Sequence, residues 1–136
     1  MAEYTKPLPV VNDLNRPHWE GARDGRFMVQ RCLGCGHLAL PPMPNCSSCL
    51  ETDLEWVALS GRGAVFSWIE YHQGWLPGYR DETPYNVAIV ELEEGLRVVS
   101  NLVGVPHDRI TIGMPVEVWF DAVTPEVAIP RFRPRR

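Results

Sequence analysis

Four cysteines in two matched pairs constrain this chain more than any other feature. They are the only cysteines in the sequence and form the segments Cys32-Leu33-Gly34-Cys35 and Cys46-Ser47-Ser48-Cys49, separated by ten residues. A Cys-x-x-Cys turn directs two sulfurs at one point, and two such turns facing each other supply four thiolates for a closed tetrahedral site. Because no position stays open for water, we expect a structural Zn²⁺ rather than a catalytic one. The predicted ligands are Cys32, Cys35, Cys46 and Cys49.

Other interpretations of these cysteines stay open. Two disulfides or a redox pair would use the same residues, but disulfides need an oxidising compartment. Residues 1–9 have no continuous apolar run of the kind that a signal peptide carries, which favours a cytoplasmic protein. Iron in a rubredoxin-like setting would fit the same four sulfurs. His37, beside the first pair, is a spare ligand candidate that we expect to lie exposed on its turn.

The length and charge of the chain limit what it can bind. A chain of 136 residues and 15.4 kDa is sufficient for one modest core plus a stapled appendage. The net charge of −4 and the pI near 5.5 provide no broad basic field. We therefore expect no binding to nucleic acid or to anionic membranes. No apolar run reaches the length of about 18 residues that a membrane span needs.

The first 26 residues predict an arm followed by one short helix. Residues 1–12 show no periodicity and contain two prolines, which favours an arm that is extended or disordered unless a partner holds it. A capping Asn15, a proline in the first turn and Gly25 after the last turn bracket a helix of about nine residues. Because so short a helix is marginal in water, Trp19 must dock either on this chain's own ribbon or on another chain.

Residues 27–59 predict a rubredoxin-like zinc ribbon. Residues 27–30 form a strand that leads into the first cysteine turn, and residues 38–40 form its hairpin partner. Three prolines then carry the chain in an extended form to the second cysteine turn. Residues 54–58 close the ribbon as a third short strand. Since so small a unit holds little apolar content of its own, we expect Trp56 to cover the metal site or the contact with the next unit.

Residues 60–136 predict a five-stranded OB-fold barrel. The 13 prolines and 11 glycines of the chain suit short strands joined by turns. Five apolar segments with a short insert between the third and the fourth fit this architecture. The expected fold class is therefore mainly β, with a short N-terminal helix, a four-cysteine zinc ribbon and a C-terminal OB-fold barrel. The five segments are residues 64–72, 85–92, 96–103, 115–123 and 127–133.

Two patterns predict the positions of strands within the barrel. The fourth segment alternates, with Val116, Val118 and Phe120 on one face, so we expect it to be half-buried. The second and third segments are apolar on both faces and are joined by Glu93-Glu94-Gly95, whose glycine supplies the positive φ of a short hairpin. We therefore expect these two segments to be central strands.

The connection at residues 73–84 is longer than a hairpin needs. It carries Trp75, Leu76 and Tyr79, and apolar side chains on a surface loop favour a binding surface. The alternative is that these side chains fold back and plug the open end of the barrel. His72 lies at the strand end beside this loop, where an imidazole is functional in some proteins and only a strand-end residue in more of them.

No catalytic set is recognisable in the sequence. There is no Ser-His-Asp order, no glycine-rich phosphate loop and no histidine-rich cluster, and the cysteines are committed to metal. The C-terminal residues 131–136 form a basic run that either meets a phosphate or an acidic partner or remains a solvated tail. We therefore expect no catalysis by this chain alone.

Taken together, motifs along nearly the whole chain resemble the DUF35 family. Its members join an N-terminal helix and a rubredoxin-like zinc ribbon to an OB-fold and associate with acyl-CoA enzymes. One departure is Leu50, where the family often has glycine, so we expect a less regular second metal turn. The chain is also too short to carry the hydratase domain that is fused in some relatives, which predicts a free-standing small subunit. The matching residues are Trp19, Gly25-Arg26-Phe27, Gln30-Arg31-Cys32, Cys35-Gly36, Pro41-Pro42, Cys46 to Cys49, Trp56, Gly61-Arg62-Gly63, Pro84-Tyr85-Asn86-Val87-Ala88, Ile112-Gly113-Met114-Pro115-Val116 and Pro130-Arg131-Phe132-Arg133-Pro134.

The resemblance implies an accessory subunit of an acyl-CoA enzyme. Its partner would be a thiolase-like subunit, a class that includes retro-aldolases and acyltransferases, or a hotdog-fold enoyl-CoA hydratase, and this partner would hold the catalytic residues. This chain would bind the partner in a hetero-oligomer and help to seat a coenzyme A thioester, for which steroid or aromatic side-chain breakdown is one setting. The expected partner or acyl-CoA contacts are Trp19, Arg62, His72, Trp75, Leu76, Tyr79, Arg131, Phe132 and Arg133.

Two other classes of function compete with this one. A ribbon joined to an OB-fold also suits a module that binds single-stranded nucleic acid through a basic groove and stacking aromatics. Here carboxylates lie along the strands among the aromatic residues, which opposes that use. The third and weakest alternative is an iron-containing electron carrier.

Overall fold

The computed structural model describes residues 4–135, which form one helix, a small ribbon and a curled sheet. Two 3-10 helices, Pro77–Glu82 and His107–Arg109, lie in the connections of the sheet. The other elements are α1 (Arg16–Arg23), β1 (Phe27–Cys32), β2 (Leu38–Ala39), β3 (Leu54–Leu59), β4 (Arg62–Tyr71), β5 (Tyr85–Leu92), β6 (Arg97–Ser100), β7 (Pro115–Ala122) and β8 (Ala128–Pro134).

The ribbon is a three-stranded antiparallel sheet in the order β2-β1-β3. Its strands lie where the sequence predicts them, with β1 paired along its whole length to β3 and through Gln30 and Arg31 to β2. The side chain of Gln30 is buried and accepts a hydrogen bond from the backbone N–H of Met43 at 2.8 Å. This bond fastens the proline-rich connection to the central strand of the ribbon.

The C-terminal sheet has the order β6-β5-β4-β7-β8, and all its neighbouring strands are antiparallel. The five predicted segments are therefore confirmed as strands, and Gly95 has the expected positive φ of 96° in the β5–β6 hairpin. The expected central position is correct for β5 but wrong for β6, which is an edge strand. Val98 is buried and Val99 is 72% exposed, so β6 covers the core with one face only.

The barrel closes at a single point. Leu102, just beyond β6, pairs in parallel with Phe132 of β8, and the backbone of Phe132 exchanges hydrogen bonds with Asn101 (3.0 Å) and Val103 (2.8 Å). The next residue of β8 that would donate is Pro130, which has no N–H. The Pro130 carbonyl instead accepts a hydrogen bond from Ser100 Oγ at 2.9 Å. The result is a curled half-barrel rather than a fully closed one.

One core joins the ribbon to the barrel. Phe27 of β1 and Phe132 of β8 meet edge to face, with ring centroids 6.2 Å apart, and both side chains are buried. The ribbon is therefore not a separate appendage. The buried members of this core are Phe27, Val29, Val65, Ala88, Val90, Leu92, Val98, Leu102, Ile110, Val116 and Phe132.

Helix α1 docks on its own chain. His18 is buried, and its Nδ1–H donates to the carbonyl of Met28 at 2.8 Å. A Cβ on Gly21 would come within 2.4 Å of Met28 Cγ, so this glycine allows the helix to approach β1 closely. Asn15 occupies the N-cap position, but its side chain does not cap the helix, which differs from the prediction. It instead bonds reciprocally with Asn12, backbone N–H to side-chain oxygen, at 2.8 and 3.0 Å.

The described part of the N-terminal arm packs on the long loop of the barrel. Lys6 pairs with Glu82 at 2.6 Å and lies over the ring of Tyr79. A Cβ on Gly78 would come within 2.7 Å of the Thr5 carbonyl oxygen, which shows how closely the two backbones pass. Residues 1–3 of the predicted arm and Arg136 lie outside the described residues.

Candidate metal centre and partner-binding surface

The two cysteine turns bring all four sulfurs together. The four Sγ atoms lie within 4.8 Å of one another, with 3.5 Å between Cys32 and Cys49 and 3.6 Å between Cys35 and Cys46. Zn–S bonds of about 2.3 Å in a tetrahedron place the sulfurs about 3.8 Å apart. A disulfide would need about 2.05 Å. The arrangement therefore fits one metal ion bound by four thiolates, as the spacing predicts.

The two metal turns share one backbone geometry. After the first pair, Gly36 has φ 79° and its N–H donates to the Cys32 carbonyl at 2.9 Å. After the second pair, Leu50 has φ 69° and its N–H donates to the Cys46 carbonyl at 2.9 Å. The expectation of a less regular second turn is wrong, because Leu50 adopts the left-handed conformation that glycine would take without strain.

The protonation of the cysteines reflects their mutual proximity. The backbone N–H of Cys49 lowers the pKa of the Cys46 thiol to about 6. The backbone N–H of Glu51 lowers the pKa of Cys49, but the neighbouring Cys32 and Cys35 sulfurs outweigh it and raise that pKa to about 12. Four adjacent thiols therefore do not ionise together unless a cation compensates their charge.

His37 lies outside this cluster, as expected. Its side chain is exposed, and Nε2 lies 3.2 Å from Ser47 Oγ. It therefore links the two turns at the surface without entering the sulfur cluster.

The long loop presents apolar side chains to solvent. Trp75 is 72% exposed and Leu76 is 47% exposed, just before the 3-10 helix Pro77–Glu82. Tyr79 turns inward and packs on Tyr85 with ring centroids 4.9 Å apart. Each of the two alternatives is therefore correct for part of the loop. Tyr79 folds back onto the barrel, whereas Trp75 and Leu76 stay exposed to solvent.

The outer face of the sheet extends this apolar surface. Ile69 of β4 is 53% exposed and Val99 of β6 is 72% exposed. Both adjoin strand β5 in register, opposite Val87 and Ile89 respectively. Sequence reasoning missed Ile69 and Val99 because alternation does not reveal which face of a strand is covered. We call Ile69, Trp75, Leu76, Val87 and Val99 the apolar patch; all but Ile69 line a cavity of about 430 Å³ with Tyr71, Tyr79 and Tyr85.

His107, which the sequence did not single out, is held more firmly than His72. Its Nδ1–H donates to Glu70 at 2.6 Å, while the Asn86 amide donates to its Nε2 at 3.4 Å. The hydrogen bond from His107 lowers the pKa of Glu70. His72 is largely exposed and lies 3.3 Å from the other oxygen of Glu70. The imidazole that the fold orients is therefore that of His107.

Three of the predicted contact residues have roles within the chain. Arg131 is mostly buried and donates to Asp121 (2.8 Å) and Asn101 (2.9 Å). Phe132 is fully buried in the core, so its side chain is absent from the surface. Trp19 is half-buried and meets the His18 ring edge to face at 4.9 Å. Only Trp19 of these three keeps a substantial part of its side chain accessible.

Arg62 and Arg133 lie far from the long loop. Both flank Glu117 across neighbouring strands, and Arg62 lies 3.3 Å from Glu93, which also pairs with Arg135. Since Arg62 begins β4 and the loop follows its end, a strand of this length separates them by about 30 Å. The structure therefore groups three arginines at one end of the barrel, away from His72 and Trp75.

Within residues 4–135, no helix is both long enough and apolar enough to cross a membrane.

Two family models together match most of the chain. Residues 19–55 match the rubredoxin-like zinc ribbon domain of ChsH2, and residues 56–121 match the C-terminal OB-fold domain of ChsH2. These are the two units that the structure shows as the ribbon and the half-barrel.

Known proteins with similar sequences carry this combination in different settings. The chain is 44% identical over 130 residues to a probable enoyl-CoA hydratase alpha subunit of Thermomonospora curvata, covering 95% of this chain but only 40% of that protein. It is 39% identical over 115 residues to a DUF35 domain-containing scaffold protein of Methanothermobacter thermautotrophicus, covering 79% of this chain and 86% of the relative. The chain thus spans less than half of the hydratase subunit but most of the scaffold protein.

A solved structure shares the whole architecture. A chain of the Ltp2-ChsH2(DUF35) aldolase superposes with a TM-score of 0.81 at 42% identity, covering 93% of this chain and 98% of that one. With its four-cysteine ribbon, its curled five-stranded sheet and these relatives, the chain belongs to the DUF35 family of ChsH2-type proteins.

Proposed function

We propose that this chain is a non-catalytic accessory subunit that binds a thiolase-like enzyme and helps to form its acyl-CoA site. The apolar patch carries the proposal. Trp75 and Val99 are both 72% exposed, and it is energetically unfavourable to leave so much adjoining apolar surface in contact with water. Protein interfaces concentrate such anchors at their centres. The patch therefore has the composition of a docking surface for another protein.

The partner class follows from the family relationship. The solved relative that this chain covers almost completely is named for an aldolase, and the Methanothermobacter relative is described as a scaffold. The DUF35 resemblance supports a thiolase-like retro-aldolase as the partner. A partner that supplies the nucleophile and the acid–base groups accounts for a chain in which no such set is recognisable.

The acyl-CoA contact is divided between two places in this proposal. Trp75, Leu76 and His72 border the acyl end at the long loop, while Arg62 and Arg133 are free to turn toward phosphates at the far end of the barrel. Both guanidinium groups are about half exposed and pair with the partly accessible carboxylates of Glu93 and Glu117, so they are available to an anion at little cost. Arg135 joins this set.

Zinc is the metal that we propose for the four-cysteine site. The four sulfurs are spaced as a Zn²⁺ ion requires, and the matching family model is that of a zinc ribbon. When bound, the ion supplies positive charge that keeps all four thiolates ionised. Cys32 and Cys46 are buried while Cys35 and Cys49 are exposed, so the site joins the ribbon core to its surface turns.

Co-expression tests the accessory role. The chain should co-elute on size exclusion with a thiolase-like protein encoded beside it, and the acyl-CoA cleavage activity of that protein should depend on the chain. Trp75→Ala should weaken the complex at least tenfold, because it removes the largest exposed side chain of the patch. Glu126→Ala, at an exposed position that is not part of the patch, is the matched control. A chain that remains monomeric with every such protein contradicts the proposal.

An enoyl-CoA hydratase is the second candidate partner. The 44% identity to the Thermomonospora hydratase alpha subunit over 130 residues favours it. The same co-expression with hotdog-fold proteins, assayed by hydration of an enoyl-CoA, separates the two. If the hydration activity requires this chain and the cleavage activity does not, the partner is the hydratase.

A further inference from the structure

The backbone of β6 offers unused hydrogen-bonding groups at the open edge of the barrel. In the β5–β6 hairpin, Leu92 N–H donates to the Leu96 carbonyl, and residues 90 and 98 pair two positions further on. Hydrogen-bonded pairs alternate along an antiparallel ladder, so the N–H and C=O groups of the even-numbered residues of β6 point toward β5. The N–H and C=O groups of Arg97 and Val99 therefore point away from the sheet.

The pairing of the following residues confirms this orientation. Asn101 and Val103, the next two odd residues, bond to the backbone of Phe132 on the side away from β5. That ladder stops at Pro130, whose nitrogen has no hydrogen to donate toward Val99. Among residues 4–135, the backbone hydrogen bonds formed outside the regular strand ladders include none from Arg97 or Val99. Four polar groups thus remain for another strand.

A groove runs beside this edge. It has a volume of about 330 Å³, and its lining is apolar except for the polar groups of Asn15, His18 and Arg97. No carboxylate lines it, so its charge suits a neutral or acidic segment. The lining residues are Asn15, His18, Trp19, Leu40, Pro41, Pro42, Arg97, Val98 and Val99.

The groove is continuous with the apolar patch. Val99 lines this groove and also the cavity beneath the long loop. A protein that covers Trp75 and Val99 therefore meets the open edge of β6 at the boundary of the same surface.

We propose that the open edge of β6 receives an extended segment of the partner subunit by β-strand addition. The segment pairs with the N–H and C=O groups of Arg97 and Val99 and places an apolar side chain against Trp19 and Pro42. Main-chain pairing supplies affinity and the groove supplies selectivity. This inference rests on the proposed accessory role and adds the mode of recognition. It also gives Trp19 a place in the interface.

Amide hydrogen exchange of the wild-type protein gives the first test. In the free chain, the Val98 and Ser100 amides should exchange slowly, and those of Arg97 and Val99 should exchange quickly. In the purified complex with the co-expressed thiolase-like subunit, the Arg97 and Val99 amides should slow at least a hundredfold. If the complex forms while these two amides stay fast, strand addition is wrong and the accessory role stands. If no complex forms, both proposals fail.

Proline substitution gives the second test. Val99→Pro removes only the outward N–H and should leave the free chain folded with its metal, because prolines are tolerated where the N–H faces solvent. The complex of Val99→Pro should be at least tenfold weaker than that of Val99→Thr, which also loses the apolar side chain but keeps the outward N–H. Val98→Pro is the matched control, since it breaks the β5 ladder and should destabilise the free chain. Equal complex stability for Val99→Pro and Val99→Thr would overturn the proposal. Concentration-dependent protection of the Arg97 and Val99 amides in the chain alone would also overturn it, because the edge would then bind a second copy of this chain.

Discussion

At the residue scale, Leu50 shows how the metal site imposes backbone geometry on the sequence. The second cysteine turn needs a residue with positive φ, and this chain places a leucine there at 69°. The left-handed conformation costs a non-glycine residue roughly 1–2 kcal/mol. The Leu50 side chain is 75% exposed, so packing does not offset that cost.

Leu50→Gly should therefore stabilise the metal-loaded protein by about 1 kcal/mol. Leu50→Ala is the control, because it removes the same side chain but keeps the strain, and it should change the free energy of unfolding by less than about 0.5 kcal/mol. Denaturant unfolding at constant free zinc measures both. If the glycine variant is less stable than the alanine variant, the left-handed conformation at position 50 does not destabilise the protein.

His18 is the second residue whose environment leads to a measurable consequence. Burial lowers its pKa, and the hydrogen bond to the Met28 carbonyl only partly offsets this effect. The unfolded chain therefore binds a proton more readily than the folded chain. The contribution to stability is complete above the unfolded pKa of about 6.5 and is lost as the pH falls below it.

His18→Asn should remove this pH dependence. The Asn amide keeps a donor near Nδ1 but does not titrate. The free energy of unfolding of the wild type, minus that of the variant, should fall below pH 6.5 with a limiting slope of about 1.4 kcal/mol per pH unit. The metal ligands titrate in both proteins and cancel in the difference. A difference that is constant between pH 7 and pH 5 would show that His18 is not buried as a neutral group.

At the element scale, the N-terminal arm and the long loop hold each other in place. Neither is regular structure on its own, apart from the 3-10 helix Pro77–Glu82. They are joined by the Lys6–Glu82 ion pair, by the contact of Lys6 with Tyr79 and by the backbone approach at Gly78. The side chain of Lys6 is only 16% exposed, so this pair is better shielded than a typical surface pair. The arm therefore helps to fix the loop that presents Trp75 and Leu76.

Gly78→Ala should release the arm, because the new Cβ would lie 2.7 Å from the Thr5 carbonyl oxygen. Amide exchange across residues 73–84 should accelerate about fivefold, which corresponds to a local cost of about 1 kcal/mol. Lys6→Met should act in the same direction. Arg80→Ala, at an exposed position of the same turn, should leave exchange unchanged. If Gly78→Ala behaves like Arg80→Ala, the arm does not restrain the loop.

At the scale of the whole molecule, the metal site and the barrel share one core. Phe27 and Val29 belong to the ribbon strand that ends at Cys32, yet both pack in the cluster that contains Phe132 and Val116. Loss of metal should therefore affect both units and not the ribbon alone, because binding and folding of such sites are coupled.

Removal of zinc by a chelator should lower the stability of the barrel by several kcal/mol. Amide exchange at Val116 and Phe132, far from the cysteines in sequence, should accelerate together with that of β1. Cys46→Ser should have the same effect without a chelator. Elemental analysis should find about one zinc per chain. Barrel amides that keep their protection in the metal-free protein would show that the two units fold independently.

The sequence by itself determined the four-cysteine cluster, the number of strands and their positions along the chain. Cysteine spacing is a local property, because each Cys-x-x-Cys turn positions its own two sulfurs. Glycine and proline likewise mark turns through backbone geometry alone. For that reason the β5–β6 hairpin at Gly95 and the four-sulfur cluster could be predicted without any knowledge of the packing.

Only the tertiary structure decided which faces and edges stay free. β6 looks like a central strand because both its faces are apolar, but its partner on one side is missing where Pro130 interrupts the closing ladder. Arg131 and Phe132 look like parts of a basic tail, but the curl of the sheet buries them against Asp121 and Phe27. These outcomes depend on contacts between segments distant in the chain, such as Asn101 with Phe132, and no local pattern carries that information.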